Sequence, residues 1–395
     1  MPQTILLDGS ALHGAKTRLA NGDQSLQPAF EALCKDADTA MSIAPASVMD
    51  KAVTPSSGDK HDFMSMGPYW WPDPDKPDGL PYIRRDGVSN PQSAGDRDAM
   101  YKMASGVETL ATAYYFGGNE AYAQHAALLL RTWFVDPATR MNPNLRFAQA
   151  IPGRTEGRSI GIIDTLRLVV VVDAVRLLEA SPYWSANDRQ EMTRWFSEYL
   201  DWLVTHPNAI QERAAKNNHG TNYDVQVSVY ALFVGKPELA KKTLQQVPTR
   251  IDSQIQPDGS LPEELLRTKS LHYCTFNTTM MMKLAILGQR NGVDLAGYVG
   301  PQGQSIRKAV DWLAARYTRQ QPWTTEQIVP YNIDESVTLL RLASLTWNDG
   351  NYEQMIWQLP GEPIANTKPF TQETLRASRV NLTWPARPLS TPKPQ

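Results

Sequence analysis

Cysteine is almost missing: Cys34 and Cys274 are the only two in 395 residues. They could pair, but two thiols in so long a chain are no disulfide framework, and neither sits in a metal-ligand spacing. Histidine is sparse as well. Its six residues are scattered, with no HExxH motif and no His/Asp cluster, so no metal site is expected. No apolar run approaches the ~20 residues that a membrane-spanning helix needs. The formal net charge is only −2, which gives no basic field for nucleic acid. A polyanionic partner would have to be held by local clusters of Arg and Lys. The opening MPQTILLDGSAL has no basic region ahead of an apolar core and does not read as a signal peptide. Strand-like alternation is rare too.

Aromatic residues and helical periodicity are plentiful. Eleven Trp and fifteen Tyr suit a large core, and equally a cleft that stacks against flat rings. Residues 1–60 read as one or two helices and a loop. Residues 61–97 are rich in Pro, Gly and Asp, which excludes regular helix and predicts a long ordered loop. From residue 99 the apolar spacing is helical. Helices are predicted over 99–116, 120–134, 160–180, 187–205, 221–234, 237–255, 271–291, 304–318, 334–347 and 350–358. Gly, Pro, Asn and Asp separate them. From Pro360 to 395 the chain is Pro-rich and is expected to lie extended. So many helices on short connections mean helix packed on helix. The expected fold class is all-α: an α/α toroid, an incomplete barrel of helix hairpins with long ordered loops over a central cleft. Periodicity alone suits an irregular bundle equally well. One domain is expected over 1–395.

Two stretches carry chemistry. KNNHGTNYDVQ, residues 216–226, sets Asn217, Asn218, His219, Asn222 and Tyr223 within seven residues. A helix cap needs one such acceptor. So many polar groups beside an apolar helix cost desolvation unless they serve one another or a ligand. GSLPEELLRTKSLHYCTFN, residues 259–277, places Arg267 and Tyr273 six apart, with Lys269 and His272 between. On one uninterrupted helix they would face differently; a break near Thr268–Ser270 could bring them together. Glu263 and Glu264 fall at a helix start, where carboxylates suit the dipole, and could orient Arg267. Asn, His, Arg and Tyr are the groups that can remove a proton beside a carboxylate. In a uronic acid the C5 hydrogen becomes acidic only when hydrogen bonds quench the carboxylate charge. A His or Tyr can then take the proton, and a Tyr hydroxyl can protonate the departing oxygen. Such chemistry requires no metal and no cofactor.

Elsewhere, Tyr69, Trp70 and Trp71 could form sugar platforms on a cleft rim. Gln149 and Arg158, in an Arg-rich loop ahead of an apolar helix, could contact carboxylates. Asp164 and Asp173, on that otherwise apolar helix, are expected to have structural partners.

NNHG followed by RTKSLHY, behind an upstream SMGPYWWPDPDKPDG, resembles the alginate lyase family of polysaccharide lyases, which are α/α toroids. The resemblance spans about residues 60–345. It implies β-elimination on a polyuronate such as alginate, with glucuronan the close alternative. In that scheme Asn218 and Arg267 neutralise the substrate carboxylate and His219 accepts a proton. Tyr273 is the acid, or acid and base, according to the sugar's stereochemistry. Asn217, Tyr223, Lys269 and His272, with the aromatic and Gln149/Arg158 groups, are the expected substrate contacts. Mannuronate-specific members carry NNHSYW where this chain has NNHGTNY, which brings it closer to the branch with broader alginate lyases and glucuronan lyases. An anionic polysaccharide is thus the expected partner, met in the periplasm or outside the cell. An inverting glycoside hydrolase is the alternative enzyme. It would need two facing carboxylates roughly 6.5–9.5 Å apart, and only Glu263 or Glu264 offers itself as one.

Overall fold

The computed structural model describes residues 1–93, 95–359 and 371–387. Two helices open the chain, α1 (Gly9–Ala20) and α2 (Gln27–Ala40). The chain forms two compact units. One comprises residues 1–2, 6–32 and 244–395, the other residues 3–5 and 33–243.

The unit built on residues 33–243 carries the strands. The expected loop over 61–97 is ordered, but it contains β1 (Met64–Met66), β2 (Trp70–Trp71) and β3 (Ile83–Arg84). β2 and β3 form an antiparallel pair with Trp70 opposite Arg84. Then come α3 (Asp96–Gly117) and α4 (Glu120–Leu130), and next β4 (Phe147–Ala150), which pairs in parallel with β1. Gly118 turns the chain between α3 and α4 in the left-handed conformation, and the Asn119 side chain caps α4. α4 runs into a π-helical turn at Arg131–Val135. The helix expected over 160–180 is a 3-10 stretch, Ser159–Arg167, followed by α5 (Leu168–Leu177).

Ser185 and Asp188 form a capping box at the start of α6 (Ala186–Thr205). α7 (Pro207–Arg213), α8 (Asn218–Phe233) and α9 (Pro237–Leu244) complete this unit. Phe134, Trp195, Phe196, Tyr199 and Tyr230 form its aromatic core, with ring centroids 4.8–5.9 Å apart along the cluster. Burying each such ring contributes on the order of 2 kcal/mol. α8 differs from its neighbours in being enclosed nearly all round. Even Thr221, Asn222, Asp224, Gln226 and Ser228 are buried.

The other unit continues after α1 with the helices α10 (Val247–Gln254), α11 (Pro262–Leu265), α12 (Ser270–Arg290), α13 (Ile306–Tyr317), α14 (Asp334–Trp347) and α15 (Gly350–Trp357). α12 packs against α13 and α14, and α14 against α15. Buried hydroxyls tie this core together: Thr275 Oγ1 lies 2.6 Å from the Tyr317 hydroxyl, and Tyr331 bonds both Thr275 and Ser336. The C-terminal stretch departs from expectation. Residues 371–387 are not extended but fold into α16 (Gln372–Ala377) and α17 (Val380–Thr383). Leu375 and Leu382 are buried, and Arg341, paired with Glu353, also donates to the Trp384 carbonyl. Residues 360–370 and 388–395 of that stretch lie outside the described residues. Both cysteines are free thiols.

Candidate active site

The NNHG stretch does not precede its helix but begins it. Asn217 is the N-cap of α8, its side chain accepting from the His219 backbone N–H at 3.1 Å. Asn218 and His219 therefore sit in the first turn. The His219 side chain is 16% exposed, while Asn218 is fully enclosed. The Asn218 carbonyl accepts from the Asn222 amide at 2.8 Å. His219 has a partner that the sequence did not reveal. Its Nδ1 lies 2.8 Å from Oε1 of Glu212, a carboxylate only 1% exposed on α7. α7 opens with Pro207, a first-turn proline, which costs no hydrogen bond there.

Tyr223, four residues on from His219, is buried, and its hydroxyl donates to the Leu203 carbonyl at 2.9 Å.

In the same unit a second cluster surrounds Gln149. This residue adopts φ +50° where the β1–β4 register shifts, a conformation that a non-glycine residue holds only when its surroundings fix it. Its backbone N–H donates to Ser65, its side-chain amide to Asp164, and its two oxygens accept from Arg158. Gln149 is buried, and its polar atoms bond Ser65, Asp164 and Arg158. Asp164, as expected, has structural partners, Ser65 and Gln149. Burial pushes its carboxyl up, against the pull of Arg97, Gln149, Ser65 and Arg158. Asp173 accepts from the Ile5 backbone. Burial also lowers the Arg158 guanidinium to about 10. Arg154 and Arg158 both lie over the half-buried Trp70, 5.4 and 5.7 Å from its ring centre. Trp71 is anchored by its indole N–H to the Val88 carbonyl, with Arg85 over its face. Tyr69 is half-buried.

The RTKSLHY stretch lies in the other unit. α11 ends at Leu265 and α12 begins at Ser270, so the chain is broken between Arg267 and Tyr273. Across that break Arg267 Nη2 donates to the Tyr273 hydroxyl at 2.9 Å, and its guanidinium carbon lies 3.9 Å from the ring centre. A fixed positive charge there stabilises negative charge on the phenol oxygen. Lys269 is half-buried and its backbone bridges to Gln327. His272 pairs with Glu335 at 2.9 Å and packs edge-on against the Tyr273 ring. The two glutamates part company. Glu263 is exposed and makes no ion pair among the described residues, so it does not orient Arg267. Glu264 is buried and accepts from the Asn277 amide at 3.1 Å.

The family described as alginate lyase matches residues 47–323. The chain belongs to the alginate lyase family. It is therefore a polysaccharide lyase. It is similar to the crystal structure of an alginate lyase from Bacteroides ovatus, at 38% identity and a TM-score of 0.90, over 97% of this chain and 99% of that one. Alginate lyase A1-III of Sphingomonas species A1 shares 15% identity over 98% of each chain with a TM-score of 0.59. A histidine variant of that enzyme, complexed with a tetrasaccharide, shares 16% identity over 98% of each chain with a TM-score of 0.60. A search of curated proteins gave no match. The fold of this alginate lyase family member is the α/α toroid. Two side chains of the site region that sequence reasoning did not single out are Glu212 and Glu335. Each is a carboxylate bonded to Nδ1 of a histidine, and an acidic residue seven positions before His219 was the available signal for the first.

Proposed function

We propose that this polysaccharide lyase cleaves β-1,4-linked polyuronate, alginate in particular, by β-elimination, leaving an unsaturated uronate at the new end. The observation that carries the reading is the pair of activated groups just described: an imidazole bonded to a buried carboxylate and a phenol bonded to a guanidinium. Arg267 and Asn218 draw charge from the C6 carboxylate, so that the C5 hydrogen can leave as a proton and the intermediate is stabilised. Asn218 is enclosed in the first turn of α8, beside His219. His219 accepts the C5 proton, and Tyr273 gives its proton to O4 as the glycosidic bond breaks. Trp70 with Arg154 and Arg158, the neighbouring Tyr69 and Trp71, and Lys269 and His272 beside Tyr273, contact neighbouring sugars. Alginate and glucuronan are polymers met outside the cytoplasm, so the enzyme works in the periplasm or beyond it.

A second reading concerns stereochemistry, and the Arg267–Tyr273 bond favours it. In mannuronate and glucuronate the C5 hydrogen and O4 lie on the same side of the ring; in guluronate they are opposed. On same-side sugars the phenol, with Arg267 against its oxygen, both takes and returns the proton. Glucuronan would then be cleaved as polymannuronate is.

Polymannuronate, polyguluronate and glucuronan, followed by the ultraviolet absorbance of the unsaturated product, test both. Tyr273→Phe should lower kcat by about a hundredfold or more on every substrate cleaved, the scale of a general acid–base contribution. His219→Gln that spares polymannuronate but not polyguluronate supports the second reading; loss on both supports the first.

A further inference from the structure

An imidazole does not by itself determine which nitrogen carries its proton. We propose that Glu212 makes that choice: as a positioning residue it keeps the His219 proton on Nδ1 and leaves Nε2 as the basic nitrogen. This rests on the reading of His219 as acceptor of the C5 proton.

The geometry is local and over-determined. Glu212 is on α7, which starts at Pro207 and is capped by the His206 side chain accepting from the Asn208 N–H. Four residues, 214–217, separate α7 from α8, and the two helices pack together. Asn217 fixes the first turn of α8 through the His219 backbone N–H. The imidazole therefore meets the carboxylate with both backbones held. At 2.8 Å the contact is a hydrogen bond. An ionised carboxylate can only accept, so Nδ1 must carry the hydrogen and Nε2 the lone pair. When Nε2 takes a proton, the imidazolium forms beside a negative charge instead of in an apolar wall.

Two further observations suit this role. The other carboxylate oxygen of Glu212 is buried with no hydrogen-bond partner among the described residues. Leaving a buried polar atom unsatisfied costs about 1–3 kcal/mol, and such costs tend to persist where a group serves function. The half-buried Arg158 guanidinium also lies within electrostatic reach of Glu212.

The experiment compares the parent with Glu212→Gln. Nitrogen NMR of the imidazoles, without substrate, reads the tautomer directly. The parent is expected to show His219 protonated on Nδ1 with a bare Nε2. In Glu212→Gln the amide can donate to Nδ1, so the proton should move to Nε2 in a large part of the population. Turnover on alginate should then fall by about 10²–10⁴ in kcat, with KM within about threefold, as expected when binding is untouched. Parent His219 protonated on Nε2 overturns the proposal whether or not any variant folds. So does a variant with parental kcat, one that loses kcat with its tautomer unchanged, or one that changes KM alone. A parent that makes no unsaturated product on any polyuronate refutes the elimination reading, and the substrate-free spectrum still decides the pairing.

Discussion

An imidazole and a phenol are ordinary groups in water, and one neighbour each makes His219 and Tyr273 different here. Glu212 stands against the first and Arg267 against the second. Arg267 has five N–H donors in a planar fork, enough to hold the Tyr273 oxygen with one edge and a sugar carboxylate with another. A lysine offers a single compact charge that cannot span both. Arg267→Lys, though it keeps the charge, should lower kcat/KM for polyuronate by about 10- to 100-fold, the cost of one or two lost charge-assisted hydrogen bonds. Steady-state kinetics checks this, and an unchanged kcat/KM would remove Arg267 from the chemistry. Residue identities were readable in the sequence but their partners were not. Tyr223 reads as a ligand because its neighbours are polar. Burial on every side of α8 also encloses its ring, and no single-faced periodicity announces that.

At the scale of the element, breaks did more than helices. α14 was read from its periodicity with its bounds intact, whereas the 237–255 run is α9 and α10, divided at Gln245–Gln246 ahead of Pro248. The break expected near Thr268–Ser270 lies between α11 and α12 and lets Arg267 reach Tyr273. α7 and the short strands were not legible, because a seven-residue helix and strands of two to four residues give too few repeats of any period.

Caps hold such pieces in place. At the start of α6, Asp188 closes the capping box with Ser185 and pairs with Arg131 at 2.8 Å. Burial works to raise its carboxyl, but the bond from Arg131, the two from Ser185 and the Arg131 charge outweigh it, and the net direction is down from 3.8. A group depressed on folding contributes stability above its unfolded value and loses it as pH falls through the folded one. Asp188→Asn should therefore destabilise the protein by about 1–2 kcal/mol at pH 7. The gap in Tm from the parent should narrow below pH 3.8. Thermal melts at both pH values check the sign; a gap that widens in acid would contradict it.

Over the whole molecule, two features set how it meets its substrate and stays folded. With a net charge of −2 it has no long-range attraction for a polyanion, and in the proposed elimination Arg154, Arg158 and Arg267 supply it at short range. Its described C-terminal stretch is structural: α16 and α17 bury Leu375 and Leu382, and Arg341 bonds the Trp384 carbonyl and the Asn381 side chain. A chain ended at Leu359 should lose about 3 kcal/mol or more, from two exposed leucine sites and two broken bonds to a buried guanidinium. A melt that matched the parent would show the stretch to be dispensable. Composition and helix spacing made the helical class legible. The docking of these last helices was hidden because Pro-rich sequence reads as extended.

The elimination chemistry is tested most directly by mixing the protein and its Tyr273→Phe variant with alginate and following ultraviolet absorbance. The parent should generate the unsaturated product steadily, and the variant, folded to the same extent, should do so about a hundredfold more slowly or worse. A variant as fast as the parent, or saturated sugars released without any rise in absorbance, would contradict it.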